Sequence, residues 1–279
     1  MNRSIAVGKI NTLRAKRQTK NGIYLASQDG YEVLLPNIYC ADIALESLVD
    51  VFVYTDSEDR VVATTLRPKA ILGEYGLFKV VSYEKYGAFV DWGLPKDLFV
   101  PLKEQKEHFH VGSFYPLRVC LDGKTNRLYA TQKIGKWLVR PQGLLRNQEV
   151  FLFVLAKTPL GYKVIVNNAC EGMLFNDEVF APIAIGDRLH GKIKKVRRDG
   201  KLDCVIVDGR GDDELLIKKF FETIEKNGGK VACTSKSDPS TVGELFGMSK
   251  KSFKRTLNHL IAKNQVVVEN GFISQAKKG

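Results

Sequence analysis

The chain has 279 residues, of which 44% are hydrophobic and 27% charged, and its formal net charge is +12. That is the composition of a folded soluble protein of roughly two to four small domains, and no run of about 18 apolar residues is present to span a membrane as a helix. The basic balance favours a polyanionic partner, because cationic patches gain by releasing counterions from phosphate; the plainer reading is that the charge only aids solubility.

Met1-Asn2-Arg3-Ser4-Ile5-Ala6 lacks the apolar stretch of a secretion signal, so a cytoplasmic protein is expected. The five cysteines, Cys40, Cys120, Cys170, Cys204 and Cys233, are scattered and form no CxxC pair. They read as reduced thiols, mostly small core side chains, rather than zinc ligands.

The first unit carries a basic stretch with Arg14, Lys16, Arg17 and Lys20. These residues read equally well as a phosphate grip and as a solvated loop. The unit closes with alternating apolar residues over 51–64, where Asp56 opens a turn and Arg60 follows it. The next stretch, 77–134, reads as short strands at 77–81, 89–92, 98–101, 115–120 and 127–131, punctuated by Gly87, Gly93-Leu94-Pro95, Gly112 and Asp122-Gly123. Strands so short and so closely spaced predict a small closed barrel of the OB type.

The hairpin that ends this second unit repeats the one that ends the first: Asp122 opens it, and Arg127-Leu128-Tyr129-Ala130-Thr131 parallels Arg60-Val61-Val62-Ala63-Thr64. A third unit, 147–207, repeats the strand order with an Asp199-Gly200 turn. Equal spacing of three such units is an internal repeat. After Asp208-Gly209-Arg210-Gly211 the apolar period changes from two to about 3.6. A helix carrying Leu215, Leu216, Phe220 and Ile224 is followed by a short strand at 231–233 and a helix opened by Pro239. Then come a Gly247-Met248 turn, a helix over 250–263 capped by Ser249, and a hairpin turning at Asn270-Gly271. That order is a winged helix.

The expected fold is therefore mainly β with a C-terminal α/β part: three tandem five-stranded OB-fold barrels followed by a winged helix. The boundaries fall at 1–68, 69–140, 141–208 and 209–279.

Tyr83-Glu84-Lys85-Tyr86-Gly87-Ala88-Phe89-Val90-Asp91-Trp92 crowds aromatics and a lysine onto one strand-turn-strand segment. Rings beside lysines make a surface on which unpaired bases stack while charge holds phosphate. Tyr86 and Phe89 would point to opposite faces of a regular strand, so Gly87 between them is expected to permit a bulge or a sharp entry that turns both outward. Lys85, Lys79, Arg118 and Arg127 then line a backbone path. The competing reading makes Phe89 core and Tyr86 a rim residue.

Tyr86-Gly87-Ala88-Phe89-Val90-Asp91, the following apolar-Val-Pro segment, and Asp122 with Arg127-Leu128 resemble the S-one RNA-binding domain. That resemblance assigns RNA contacts to Tyr86, Phe89, Asp122 and Arg127, with Pro101 standing where the family has a histidine. In the first unit Asp56 and Arg60 match, but no aromatic pair does. In the third little of the face is kept, and Lys192, Lys194, Lys195, Arg197 and Arg198 offer only charge. Over nearly its full length the chain resembles the conserved virulence factor B family, or YitL-like proteins. The stretches that carry this include Val90-Asp91-Trp92-Gly93-Leu94-Pro95-Lys96, Gly161-Tyr162-Lys163-Val164-Ile165-Val166-Asn167 and Phe246-Gly247-Met248-Ser249-Lys250-Lys251-Ser252-Phe253-Lys254. The resemblance implies three S-one-type barrels joined to a winged helix, in a bacterial cytoplasmic RNA-binding protein that affects gene expression.

On the winged helix, Lys250, Lys251, Lys254 and Arg255 belong to the third helix, with Phe253, Leu257, Leu260 and Ile261 expected on its core side. Nucleic-acid contact and docking against the third barrel or a protein partner both remain open for that surface. Catalytic signals are weak. His108 and His110 sit in a loop with Glu104 and Glu107, better read as solvated than as a metal site. Asp212-Asp213-Glu214 suits a helix start, and no phosphate-cradling loop or nucleophile motif is present. The sequence thus predicts a non-catalytic binder of single-stranded RNA without cofactor or metal. The alternative is a DNA-binding transcriptional regulator acting through the winged helix.

Overall fold

The computed structural model describes residues 5–179, 182–207, 213–263, 265–269 and 271–276. Asp212, the Asn270 half of the final turn, the 208–211 junction and the 277–279 end lie outside the described residues. The chain divides into two compact units, Met1–Leu138 and Val139–Gly279.

The first unit holds two closed barrels. β1 (Ile10–Thr19), β2 (Gly22–Ala26), β3 (Glu32–Pro36), β4 (Leu48–Thr55) and β5 (Val61–Thr64) form one. β6 (Tyr75–Glu84), β7 (Gly87–Asp91), β8 (Leu98–Pro101), β9 (Phe114–Leu121) and β10 (Leu128–Thr131) form the other. In the second unit β11 (Glu149–Thr158), β12 (Gly161–Val166), β13 (Cys170–Phe175), β14 (Arg188–Val196) and β15 (Leu202–Ile206) close a third. All three share one order: first, second, third, fifth, fourth, then back to the first. The third and fifth strands pair parallel and all other neighbours antiparallel, the partly Greek-key closure of the OB type.

Strict alternation builds each barrel. In the first, Leu13, Ala15, Ile23, Leu25, Val33, Leu35, Val51, Val53 and Ala63 point inward and are buried. Each opening strand is long and carries an irregularity at the same place, between Ala15 and Arg17, Val80 and Ser82, or Val154 and Ala156. A bulge there bends the strand so that it pairs with two neighbours around a small barrel. The bulge therefore lies on the strand opposite Phe89, and of the two readings the sequence allowed at Gly87 it is the sharp entry that occurs there.

Gly87 has a different task, shared with Gly22 and Gly161. Their φ angles are 152°, 144° and 145°. A Cβ at each would sit 2.2, 2.0 or 2.0 Å from the carbonyl oxygen of Val100, Leu35 or Leu174. Only glycine lets the second strand start so close to the third.

The two barrels of the first unit share a core. Phe52, Tyr54 and Val62 point out of the first barrel yet are buried with Trp92 and Leu94 of the second. The Lys96 ammonium donates to the carbonyls of Thr55 and Asp56 at 3.1 and 2.7 Å.

The tail comprises α1 (Asp213–Lys226), β16 (Lys230–Val231), α2 (Pro239–Phe246), α3 (Lys250–Ala262), β17 (Val266–Glu269) and β18 (Phe272–Gln275), with sheet order β16-β18-β17. Phe220, Phe246 and Phe253 meet at its centre with ring centroids 4.7–5.6 Å apart. Asp238 caps α2 by accepting from the amides of Ser240 and Thr241, with Pro239 in the first turn and Gly247 left-handed at the end. Ser249 caps α3, as the sequence indicated, by accepting from the Ser252 amide. Phe253, Leu257 and Leu260 are buried, as are Ser252 and Thr256, but Ile261, expected on the core side, is 41% exposed. Four cysteines are buried and Cys40 is half-buried, all of them free thiols. Burial pushes the Cys120 and Cys204 thiols up to about 11 and about 12.

Candidate nucleic-acid interface

In the middle barrel, β6 ends at Glu84, which pairs with Gly87, so Lys85 and Tyr86 form the tip of a two-residue hairpin turn. The tip is pinned to the next connection by the Leu102 amide, which donates to the Tyr86 carbonyl. Tyr86 projects with 70% of its surface exposed, and the Lys85 ammonium lies 5.4 Å from its ring centroid. Three positions on, Phe89 faces outward from β7 and is half-buried against Phe99, its direct partner on β8, at 5.1 Å. Phe89 is therefore neither sealed in the core nor fully wet, and the barrel interior is filled by Ala88 and Val90 on either side of it.

Lys79 is exposed on β6 opposite Asp91, which the Lys69 ammonium holds at 2.7 Å. Lys103 follows Leu102 and is exposed; its charge helps hold the Asp122 carboxylate below its ordinary range, after the larger effect of the Lys124 and Thr125 amides. Sequence reasoning passed over Lys103 because it stands outside any motif.

Three expected contacts are otherwise engaged. Arg118 is half-buried, donates to the Gly73 carbonyl and lies over the rings of Tyr75 and Trp137 at 5.2 and 5.0 Å. Arg127 pairs with Asp59 of the first barrel, across the junction of the two barrels. Asp122 accepts from the amides of Lys124 and Thr125 at 2.8 and 3.2 Å and so shapes its own turn. In the first barrel Asp56 does the same and also holds the Arg60 guanidinium at 2.9 and 2.8 Å.

The first barrel presents one ring where the middle one presents two. Asn21 replaces Tyr86, while Tyr24 stands at the place of Phe89, with the Arg17 guanidinium 3.8 Å over its face. The sequence comparison missed Tyr24 because it matched residues around the turn and not along the ladder. Arg17 also binds Glu32, and Arg14 and Lys16 both reach Glu46; all three stay exposed despite these pairs, as does Lys20 at the hairpin tip. In the third barrel Leu160 and Lys163 take the two aromatic places. There Lys192, Lys194 and Arg197 pair with Glu149, Glu178 and Asp203, while Lys195 and Arg198 are exposed.

On α3 Lys254 and Arg255 are exposed and Lys250 is half-buried; the Lys251 side chain lies outside the described residues. A groove of about 670 Å³ separates the third barrel at Tyr162 and Asn176 from the winged helix at Lys219, Lys226 and Glu244. His108 packs against Tyr83 at 4.3 Å with the rings tilted by 49°, and meets His110 edge-on at 5.3 Å. Among the described residues no group of three His, Cys, Asp or Glu side chains is placed to hold a metal ion. Nor is any described helix long and apolar enough to cross a membrane.

Comparison with known proteins agrees with this architecture. Residues 7–66 match the family model described as S1 domain, and residues 218–274 match the CvfB-like winged helix domain. The first match covers the first barrel, and the other two share its strand order. Barrels and winged helices of these kinds are nucleic-acid-binding domains, so the chain is of the nucleic-acid-binding class. It is a homologue of proteins named Conserved virulence factor B and YitL. It is 27% identical to Uncharacterized protein YitL of Bacillus subtilis (strain 168), over 98% of this chain and 95% of that protein. It is likewise 27% identical to Conserved virulence factor B of Staphylococcus saprophyticus, over 82% of this chain and 79% of the relative. A solved multidomain protein with nucleic acid binding domains from Streptococcus pneumoniae is 21% identical, covering 96% of this chain and 98% of its own, with a TM-score of 0.42.

Proposed function

We propose that this chain is a non-catalytic, cytoplasmic binder of single-stranded RNA that acts on gene expression after transcription, and that the middle barrel takes the bases. The observation that carries this reading is Tyr86, a ring 70% exposed at a hairpin tip, flanked by Lys85 and followed by the outward Phe89. A folded domain gains little by leaving such a ring in water, whereas an unpaired base stacks on it. Lys85, Lys79 and Lys103 supply charge for the phosphates. Arg118, Asp122 and Arg127 support the site by holding the turns and the barrel junction.

The test is the affinity of the full chain for a fluorescently labelled single-stranded RNA, alone and against duplex competitors. Tyr86→Ala and Phe89→Ala should each weaken binding by roughly 5- to 150-fold without lowering the melting temperature much. Affinity should also fall steeply with salt. Unchanged affinity in both variants would refute the assignment. Duplex DNA binding as tight as RNA binding, lost in Lys254→Ala and Arg255→Ala, would instead favour a DNA-binding regulator working through the winged helix.

A further inference from the structure

The ladder register places one outward side chain per strand in a row around each barrel. In the first barrel the row is Arg17, Tyr24, Leu34 and Val62. In the middle barrel it is Ser82, Phe89, Phe99 and Tyr129. In the third it is Ala156, Lys163, Met173 and Asp203. The backbone frame is the same three times; only the middle copy carries rings on three neighbouring strands.

Packing within the barrel accounts for them only in part: Phe89 rests on Phe99, and Tyr129 meets Cys120, its partner on β9. The inward positions beside the row are Ala88, Val90, Leu98, Val100 and Ala130, all buried. The first barrel buries the end of its row, at Val62, against the second barrel. Phe89, Phe99 and Tyr129 each keep part of their surface in solvent. A cross-strand pair of rings stabilises a sheet, which explains Phe89 with Phe99 but not a third ring on the next strand. Neighbouring strands lie about 4.8 Å apart, wider than the rise of about 3.4 Å per nucleotide in a stacked strand. Such a row suits bases that are splayed rather than helically stacked.

We infer that Phe99 and Tyr129 continue the stacking surface begun by Tyr86 and Phe89, so that a single-stranded nucleic acid crosses β7, β8 and β10 and lays successive bases along the row. The inference rests on the middle-barrel reading above and adds two binding residues and a direction of travel.

The experiment uses the full chain and labelled oligouridines of increasing length. Affinity of the unaltered protein should rise with length and then level off. Phe99→Leu and Tyr129→Leu should each weaken the long oligomers by roughly 5- to 150-fold and bring the levelling-off to a shorter length. Phe99→Tyr and Tyr129→Phe, which keep a ring, should retain both. If Tyr86→Ala and Phe89→Ala weaken binding while the Leu variants change neither affinity nor length dependence, the row is wrong and the middle-barrel reading survives. If none of the four variants changes binding, that reading itself falls. Should the Leu variants fail to fold, photocrosslinking of 4-thiouridine oligomers to the unaltered protein decides. Adducts on peptides carrying Phe99 and Tyr129 are expected, and their absence while other sites of the barrel are labelled would overturn the inference.

Discussion

The Trp92 indole meets the Phe52 ring edge-on, with centroids 5.7 Å apart and planes at 79°. The two residues come from different barrels, and Tyr54 adds a second edge contact at 6.4 Å. The indole N–H donates to the Lys96 carbonyl, so the loop that carries Trp92 also aims the Lys96 ammonium at the first barrel. At Phe52, Tyr54 and Val62 the outer face of β4 and β5 is therefore an interior surface.

Trp92→Ala should destabilise both barrels of the first unit together. Removing so large a buried side chain costs about 3–5 kcal/mol where the site cannot collapse. Hydrogen exchange should show faster exchange of β4 and β5 amides as well as those of β7, while the third barrel keeps its protection. Exchange confined to the second barrel would mean the shared core contributes little.

Gly87→Ala should damage the middle barrel at its hairpin. The new methyl would lie 2.2 Å from the Val100 oxygen at a φ of 152°, so the strand start must shift. Backbone strain of this kind costs on the order of 1–3 kcal/mol. Thermal unfolding should drop, and RNA affinity should fall with it, because the shift moves Tyr86. Gly123→Ala is the control, since a Cβ there meets open space and its φ lies outside the left-handed region.

Asp238 makes the winged helix sensitive to acid. Hydrogen bonds from the Ser240 side chain and the Thr241 amide hold its carboxyl far below the usual value of 3.8. A depressed folded-state value means that the stabilisation is complete above 3.8 and fades as pH falls below it. Asp238→Ala should therefore lower winged-helix stability at neutral pH, with the gap to the unaltered protein closing in more acidic solution. Denaturation monitored through α2 and α3 at several pH values checks this; a gap independent of pH would exclude the carboxylate as its source.

Much of the architecture was legible along the chain. Period-two alternation and Asp-opened turns marked the three barrels, and Pro239, Gly247 and Ser249 marked the helix ends. Tyr86 and Phe89 stood out because a turn and the strand after it are local. Tyr24, Phe99 and Tyr129 did not, since the rows they belong to, one in the first barrel and one in the second, exist only once the strands lie side by side. Arg127 read as a free cation because its partner Asp59 is distant in sequence.

Local alternation by itself determined which side chains fill each barrel, because a strand's two faces are set by its own backbone. Whether an outward face meets water was decided only by tertiary packing. Phe52, Tyr54 and Val62 point out of the first barrel and are buried, whereas Phe89 and Phe99 point out of the second and remain partly wet. The physical reason is that burial of an outer face depends on what packs against it, and for β4 and β5 that is a tryptophan loop from a neighbouring domain.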